Sequence, residues 1–209
     1  MLSSYFRTYL KIQKLQNFKS ITLTNLAKLL ESLSKIYKLP VEEITSYTIR
    51  DFILGKKKVK DKRKENDTGK EMRSHPAELF PQNFSEDEHE VAVTHEWSLG
   101  LNNVSGILKL AENKNQDLKI WIDVLFVDQM CTNVCMNLAS AQEVYGRSEE
   151  HWIFGTPTLL SRGWCLYEIC IRKNSKRPSL ILGDLGYSVD LLCMKAETYF
   201  LTINMADTK

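Results

Sequence analysis

This 209-residue sequence contains no apolar run of the roughly eighteen residues that a membrane-spanning helix needs. Lys, Arg and Gln are scattered through residues 1–20, where a signal peptide would need an uninterrupted apolar stretch. We therefore expect a soluble, cytoplasmic protein that does not interact with membranes. The composition, with 43% hydrophobic and 26% charged residues, is typical of one ordinary globular domain carrying an appendage.

The sequence also lacks the short motifs of several common sites. It contains no GxGxxG or GxxxxGK[ST] motif, so neither a Rossmann pyrophosphate turn nor a P-loop is predicted. It also contains no GxSxG motif, so the nucleophile of a hydrolase triad is not indicated. The five cysteines are odd in number and lie mostly in apolar segments, which predicts reduced thiols. Cys131 and Cys135 are four residues apart, but no second such pair exists and the nearest histidine is His151, so we expect no metal site.

A basic N-terminal part precedes an acidic body. Residues 1–75 hold 17 Lys and Arg against 8 Asp and Glu, whereas residues 76–209 hold 11 against 18. The segment 56–70 has eight basic residues and almost nothing apolar, which predicts a mobile linker or an exposed loop. We therefore predict a helical N-terminal element at 1–55, a basic linker at 56–75 and an α/β domain at 76–209. The net charge of +2 argues against a dedicated nucleic-acid partner.

Periodic apolar residues predict helices in the N-terminal element. Between 22 and 37 they recur at three- and four-residue steps, and Thr22 or Thr24 is available as the N-cap. Another helix is predicted within 41–54. Residues 71–88 show no such pattern and are expected to form a poorly structured lead-in to the body.

The body alternates between strand and helix patterns. Short β-branched or apolar runs are separated by segments of helical periodicity, which predicts βαβ units and a parallel sheet flanked by helices. Ligands of such sheets bind beyond the carboxyl ends of the strands, which here corresponds to residues 95–101, 123–129 and 155–163. The predicted strands are 91–94, 118–122, 152–154 and 179–182, and the predicted helices are 104–111, 132–145 and 162–173.

One carboxylate lies in the otherwise apolar helix that is predicted after the third of these segments, residues 155–163. Glu168 comes after a loop rich in Gly, Thr and Pro, and it shares a helix face with Trp164 and Ile171. A carboxylate among such side chains is costly unless it is paired or used in chemistry. From the residues alone, an ion pair with Arg162 or Arg172 and a functional role both stay open.

Three segments together resemble Toll/interleukin-receptor (TIR) domains, and most closely a divergent subtype with a W-C-L-x-E motif. They are VAVTHEW at 91–97, LKIWIDVLFVDQ at 118–129 and TPTLLSRGWCLYEICIR at 156–172. The resemblance implies that residues 76–209 form a TIR-like domain with a flavodoxin-like parallel sheet. Many TIR domains cleave the bond between nicotinamide and ribose in NAD+ with one glutamate, and the matching residue here is Glu168.

The resemblance also places His95, Trp97, Asp123, Ser161 and Trp164 near a bound nucleotide. By this analogy His95 would hydrogen-bond ribose or phosphate, and Trp97 would stack on a base or on the nicotinamide ring. Structural roles stay open for all five. For Asp123 the alternative is a loop cap, for Ser161 a helix N-cap, and for Trp164 packing of the helix against the sheet.

The resemblance implies an NAD+ glycohydrolase of immune, defence or cell-death signalling, which releases nicotinamide and ADP-ribose or a cyclic ADP-ribose. NAD+ is then the substrate, and no resident cofactor is expected. Self-association through TIR–TIR contacts, with the family's BB loop at 124–130, would complete the pocket and activate the enzyme. One alternative is a non-catalytic TIR-like scaffold that acts through homotypic interactions. Another, for residues 1–75, is phosphate binding on DNA by a basic helical element.

Overall fold

A computed structural model describes residues 18–54, 75–101, 118–127, 129, 134–154, 156, 158–182, 188, 190–192, 194, 195 and 198. The predicted helix at 104–111 and nearly all of the predicted basic linker lie outside these ranges. The chain divides into two compact units, of which unit 1 comprises residues 1–89 and 97–132 and unit 2 comprises residues 90–96 and 133–209.

The protein has an α/β architecture, in which six described strands are flanked by helices, and this confirms the predicted fold class. The strands are β1 (Ser20–Thr22), β2 (Phe84–Ser85), β3 (Val91–Thr94), β4 (Lys119–Ile122), β5 (Glu150–Phe154) and β6 (Leu180–Leu182). The helices are α1 (Leu23–Tyr37), α2 (Ser46–Ile53), α3 (Pro76–Leu79), α4 (Asp123–Phe126), α5 (Val134–Arg147) and α6 (Gly163–Asn174). Short 3-10 turns span Val41–Glu43, Pro81–Asn83 and Leu159–Ser161.

In unit 1, β1 lies between two antiparallel partners. Ile21 of β1 is opposite Phe84 of β2 on one side and Ile120 of β4 on the other. The segment before α1 therefore contributes a strand that the helical pattern did not predict. The expectation of a poorly structured lead-in at 71–88 is wrong in part, because α3 and β2 lie within it and β2 is held by its pairing with β1.

The predicted helix at 22–37 is confirmed as α1, and its two ends show why it begins and stops there. The hydroxyl of Thr22 accepts a hydrogen bond from the backbone N–H of Asn25, which satisfies one of the free donors of the first turn. At the other end Lys38 takes a left-handed conformation (φ 54°), and its N–H donates to the carbonyl of Ser34. The face that α1 buries consists of Leu23, Leu26, Leu29, Leu30 and Leu33.

Replacing Thr22 by alanine is expected to lower the free energy of unfolding by about 1 kcal/mol, because the N–H of Asn25 loses its side-chain acceptor. Thr22→Ser keeps the acceptor and is the matched control. Urea denaturation of both variants checks this, and equal stabilities of the two variants would contradict the capping role.

In unit 2, β3, β5 and β6 run parallel. Val93 of β3 is opposite Trp152 of β5, and Ile153 of β5 is opposite Ile181 of β6. Helix α6 connects β5 to β6, so these three elements form the predicted βαβ unit, an arrangement found in flavodoxin-like folds. All four residues of β3 are buried, as is usual for a strand of a parallel sheet.

Within the described residues, no helix is both long enough and apolar enough to cross a membrane.

Candidate functional site

The single acid of the apolar helix points into the interior of unit 2. Glu168 lies in the middle of α6 and only 1% of its surface is exposed. The hydroxyl of Thr94, the last residue of β3, donates a hydrogen bond of 2.6 Å to Oε2 of Glu168. The helix thus brings its carboxylate to the carboxyl end of a parallel strand, the edge at which such sheets bind ligands.

Two further polar side chains, which the sequence analysis did not single out, continue from Thr94. Nε2 of His151 is 2.8 Å from Oγ1 of Thr94, and Nδ1 of His151 is 2.9 Å from Oγ of Ser179. A polar residue inside an apolar strand was the sequence signal that could have identified them. Thr94 in β3 and His151 in β5 are both polar and almost fully buried, and buried polar groups need hydrogen-bond partners. Their partnership joins positions 57 residues apart.

Burial keeps His151 neutral. Desolvation, together with the positive charge of Arg172, lowers the pKa of His151 to about 3. A neutral imidazole donates from one nitrogen and accepts at the other, which matches a position between two hydroxyl groups.

Arg172 anchors the backbone around the start of β5 and is not the ion-pair partner that the sequence left open for Glu168. It is fully buried, and within the described chain its guanidinium donates hydrogen bonds to main-chain carbonyl oxygens only. The acceptors are the carbonyls of Pro178 (2.9 Å), Ser148 (2.6 Å), Glu149 (2.9 Å) and Tyr145 (3.3 Å). The other proposed partner, Arg162, is the N-cap residue of α6.

His95 follows β3 directly, as predicted, but its side chain is enclosed in unit 2. Only 2% of its surface is exposed, and desolvation lowers its pKa to about 4. The thiol of Cys165 contacts the carbonyl of His95 at 3.4 Å, so this buried cysteine packs the first turn of α6 against the segment after β3. The predicted contact of His95 with a nucleotide stays a prediction.

The loops after β3 and β5 are joined by a carboxylate that the sequence analysis missed. Oε2 of Glu96 accepts a hydrogen bond of 2.7 Å from the hydroxyl of Thr156 and another from the hydroxyl of Thr158. Ser161 lies further along the second loop and donates to the carbonyl of Thr158, at 2.7 Å. Ser161 is therefore not the N-cap of α6, because Arg162 occupies that position without a side-chain cap.

Trp164 stands in the first turn of α6, one helical turn before Glu168. Its indole is half-buried and its ring lies 6.1 Å from that of Tyr167. Among the described residues its Nε1 has no hydrogen-bond partner.

Trp97 and Asp123 meet each other inside unit 1. Nε1 of Trp97 donates to Oδ2 of Asp123 at 2.8 Å, and Oδ1 of Asp123 accepts from the N–H of Val124 at 2.7 Å. The Trp97 ring is edge-on to Tyr47 at 5.7 Å, and the guanidinium of Arg50 lies 5.9 Å from its centre. These contacts give both predicted pocket residues a structural role in unit 1.

The predicted BB loop at 124–130 begins in a helix, so its description as a loop is wrong for the first three residues. Asp123 is the first residue of the short helix α4, and it is buried. Residues 128 and 130 lie outside the described chain.

The two tryptophans offer a matched pair of substitutions. Trp97→Phe is expected to cost about 1–3 kcal/mol of unfolding free energy, because the buried carboxylate of Asp123 loses an N–H donor. Trp164→Phe removes an indole N–H that has no partner in the described chain, so a smaller loss is expected. Thermal and urea unfolding of both variants tests this order, and an equal or reversed order would count against it.

The described residues include no group of three or more His, Cys, Asp and Glu side chains that is placed to hold a metal ion. The side chains of Cys131 and Cys135 lie outside them.

The chain matches no protein-family model, and no curated protein or solved structure is significantly similar to it.

Proposed function

We propose that this protein is an NAD+ glycohydrolase of the TIR type and that Glu168 is its catalytic residue. The observation that carries the proposal is the carboxylate of Glu168, buried at the carboxyl end of β3 and held by the hydroxyl of Thr94 at 2.6 Å. An acid in such an environment is a candidate for chemistry, because burial of a carboxylate that serves no purpose is costly.

One carboxylate is sufficient for this reaction. Nicotinamide leaves NAD+ as a neutral molecule from a cationic N-glycoside, so the reaction needs no general acid of the kind that ordinary glycosidases carry as their second carboxyl group. The anion of Glu168 would orient a ribose hydroxyl and stabilise the positive charge that develops on the ribose ring. Because the site is enclosed, this electrostatic stabilisation is stronger than it would be in water.

Substrate must reach a side chain that is 1% exposed. The proposal therefore includes an opening step, in which the side chains that cover Glu168 move apart before NAD+ binds, and self-association is the proposed trigger. Trp164 is the proposed stacking partner of the nicotinamide ring, since it is half-buried and lies on the same helix face as Glu168. Within the described residues, Cys165 and Cys170 form no disulfide, which is consistent with action in the reducing cytoplasm.

The experiment is incubation of the concentrated 209-residue protein with NAD+, followed by chromatography of the products. The proposal predicts release of nicotinamide, with an equal amount of ADP-ribose or a cyclic ADP-ribose. If NAD+ stayed intact while light scattering showed that the protein had self-associated, the proposed enzymatic activity would be contradicted.

The second candidate is a non-catalytic TIR-like scaffold that recruits partners by homotypic contacts. The burial of Glu168 favours it, because a side chain that only packs and hydrogen-bonds to Thr94 needs no access for substrate. The scaffold predicts self-association that is unchanged by NAD+ and by Glu168→Gln.

A further inference from the structure

A continuous chain of hydrogen bonds links Glu168 to the beginning of β6. It runs from Oγ of Ser179 to His151 (2.9 Å), from His151 to Oγ1 of Thr94 (2.8 Å) and from Thr94 to Oε2 of Glu168 (2.6 Å). We infer that Ser179, His151 and Thr94 form a proton relay that ionises Glu168 and fixes the position of its carboxylate. They are positioning residues, and their importance for catalysis rests on the proposed function of Glu168.

When Glu168 is ionised, the donor and the acceptor of every hydrogen bond in the relay are fixed. The hydroxyl of Thr94 has a single proton, and it is donated to Glu168. The oxygen of Thr94 must therefore accept a hydrogen bond from Nε2–H of His151. The other nitrogen, Nδ1, then has a lone pair and accepts from the hydroxyl of Ser179. One histidine tautomer, with its proton on Nε2, satisfies all three hydrogen bonds.

The proton balance of the relay closes without any other reactant than solvent. When Glu168 is protonated, each group of the relay donates its hydrogen bond to the next group towards solvent, and His151 carries its proton on Nδ1. Release then moves four protons by one position: from Glu168 to Thr94, from Thr94 to Nε2 of His151, from Nδ1 of His151 to Ser179, and from Ser179 to water. Afterwards Glu168 is an anion and His151 is the Nε2–H tautomer.

Burial along the chain supports this path. Glu168, Thr94 and His151 are each at most 1% exposed, whereas Ser179 is half-buried. Since Glu168 has almost no contact with bulk water, its carboxyl proton needs a route through the protein. Ser179 is the member of the relay that is nearest to solvent.

Two side chains on the helices of unit 2 act on His151. Arg172 on α6 raises the local positive potential and opposes protonation of His151. The Tyr145 ring on α5 stands edge-on to that of His151 at 5.3 Å, and its hydroxyl donates to the carbonyl of Val93. Glu150 on β5 acts electrostatically on the guanidinium of Arg172 and opposes part of its positive charge.

The test is nuclear magnetic resonance of full-length protein labelled with ¹⁵N in its four histidines, with His151 assigned from the spectrum of His151→Gln. The expected result is a neutral His151 in the Nε2–H tautomer between pH 6 and pH 8. Thr94→Val should abolish this preference and give a mixture of tautomers, whereas Thr94→Ser should keep it. An Nδ1–H tautomer at these pH values would mean that Glu168 keeps its proton. Either this tautomer or a charged imidazole in the unmodified protein would overturn the inference that the relay ionises Glu168, whether or not the protein cleaves NAD+.

A kinetic arm separates positioning from mere stability. Thr94→Val is expected to lower kcat for nicotinamide release by roughly 10- to 100-fold and to move the acid limb of the pH profile to higher pH, because the carboxylate anion loses the hydrogen bond that positions and stabilises it. Thr94→Ser should restore most of the rate. A folded Thr94→Val protein with the kcat and pH profile of the unmodified enzyme would overturn the relay while leaving the proposed function intact.

Discussion

Replacing Arg172 by methionine is expected to lower the free energy of unfolding by about 3 kcal/mol or more. The guanidinium donates to four main-chain carbonyls, and methionine keeps most of the apolar stem but none of the donors. Buried acceptors that lose their partner cost roughly 1–3 kcal/mol each, and the loss is not fully additive. Because one of these carbonyls belongs to the last turn of α5 and two belong to the residues between α5 and β5, the junction before β5 should loosen first.

Arg172→Lys is the matched control. It keeps the positive charge but replaces the planar fork by a single ammonium, which cannot reach acceptors that are spread over two chain segments. Its stability should fall between those of the unmodified protein and Arg172→Met in urea denaturation. If the Arg172→Lys protein were as stable as the unmodified protein, the positive charge rather than the geometry of the guanidinium would be the stabilising factor.

Acidification from pH 7 to pH 5 is expected to cost about 4 kcal/mol of stability through His95 and His151 together. Burial lowers the folded-state pKa values to about 4 and about 3, from the ordinary value of 6.5. Between these limits the unfolded chain binds protons that the folded protein does not. This stabilisation is therefore complete above about pH 6.5 and is lost as the pH falls towards 4.

Urea denaturation at pH 5, 6 and 7 measures this dependence. His95→Gln and His151→Gln should each reduce the proton uptake on unfolding by up to one, and the double variant by up to two. Each single variant is also expected to be less stable at pH 7, because the glutamine cannot reproduce the packing of a buried imidazole. If both variants kept the full pH dependence, neither histidine would be held neutral in the fold.

The sequence was sufficient for the elements whose pattern matches their surroundings. The apolar period of α1 and its Thr22 cap, the enclosed strand β3 and the βαβ order around α6 are each visible in the residues that form them. The strands β1 and β2 were not predicted, because two or three residues are too few to show alternation. They are held in place because β1 pairs with β2 on one side and with β4 on the other.

The site was predicted only in part, and for a related reason. Glu168 was recognisable as an acid in an apolar helix, but its partner Thr94 is 74 residues away along the chain. The sequence left an ion pair with Arg162 or Arg172 open, and the structure rules out Arg172, because its guanidinium donates to backbone carbonyls. Side-chain pairing across parallel strands depends on the register, which local periodicity does not contain.

The most direct measurement compares nicotinamide release by the unmodified protein, Glu168→Gln and Glu143→Gln at equal folded concentration. Glu143 is an exposed acid of α5 that pairs with Arg147 at 2.6 Å, so its substitution controls for the loss of one negative charge. The account predicts that Glu168→Gln lowers the rate by roughly 100-fold or more, whereas Glu143→Gln leaves it unchanged. A folded Glu168→Gln protein that cleaves NAD+ at the unmodified rate would contradict the central assignment.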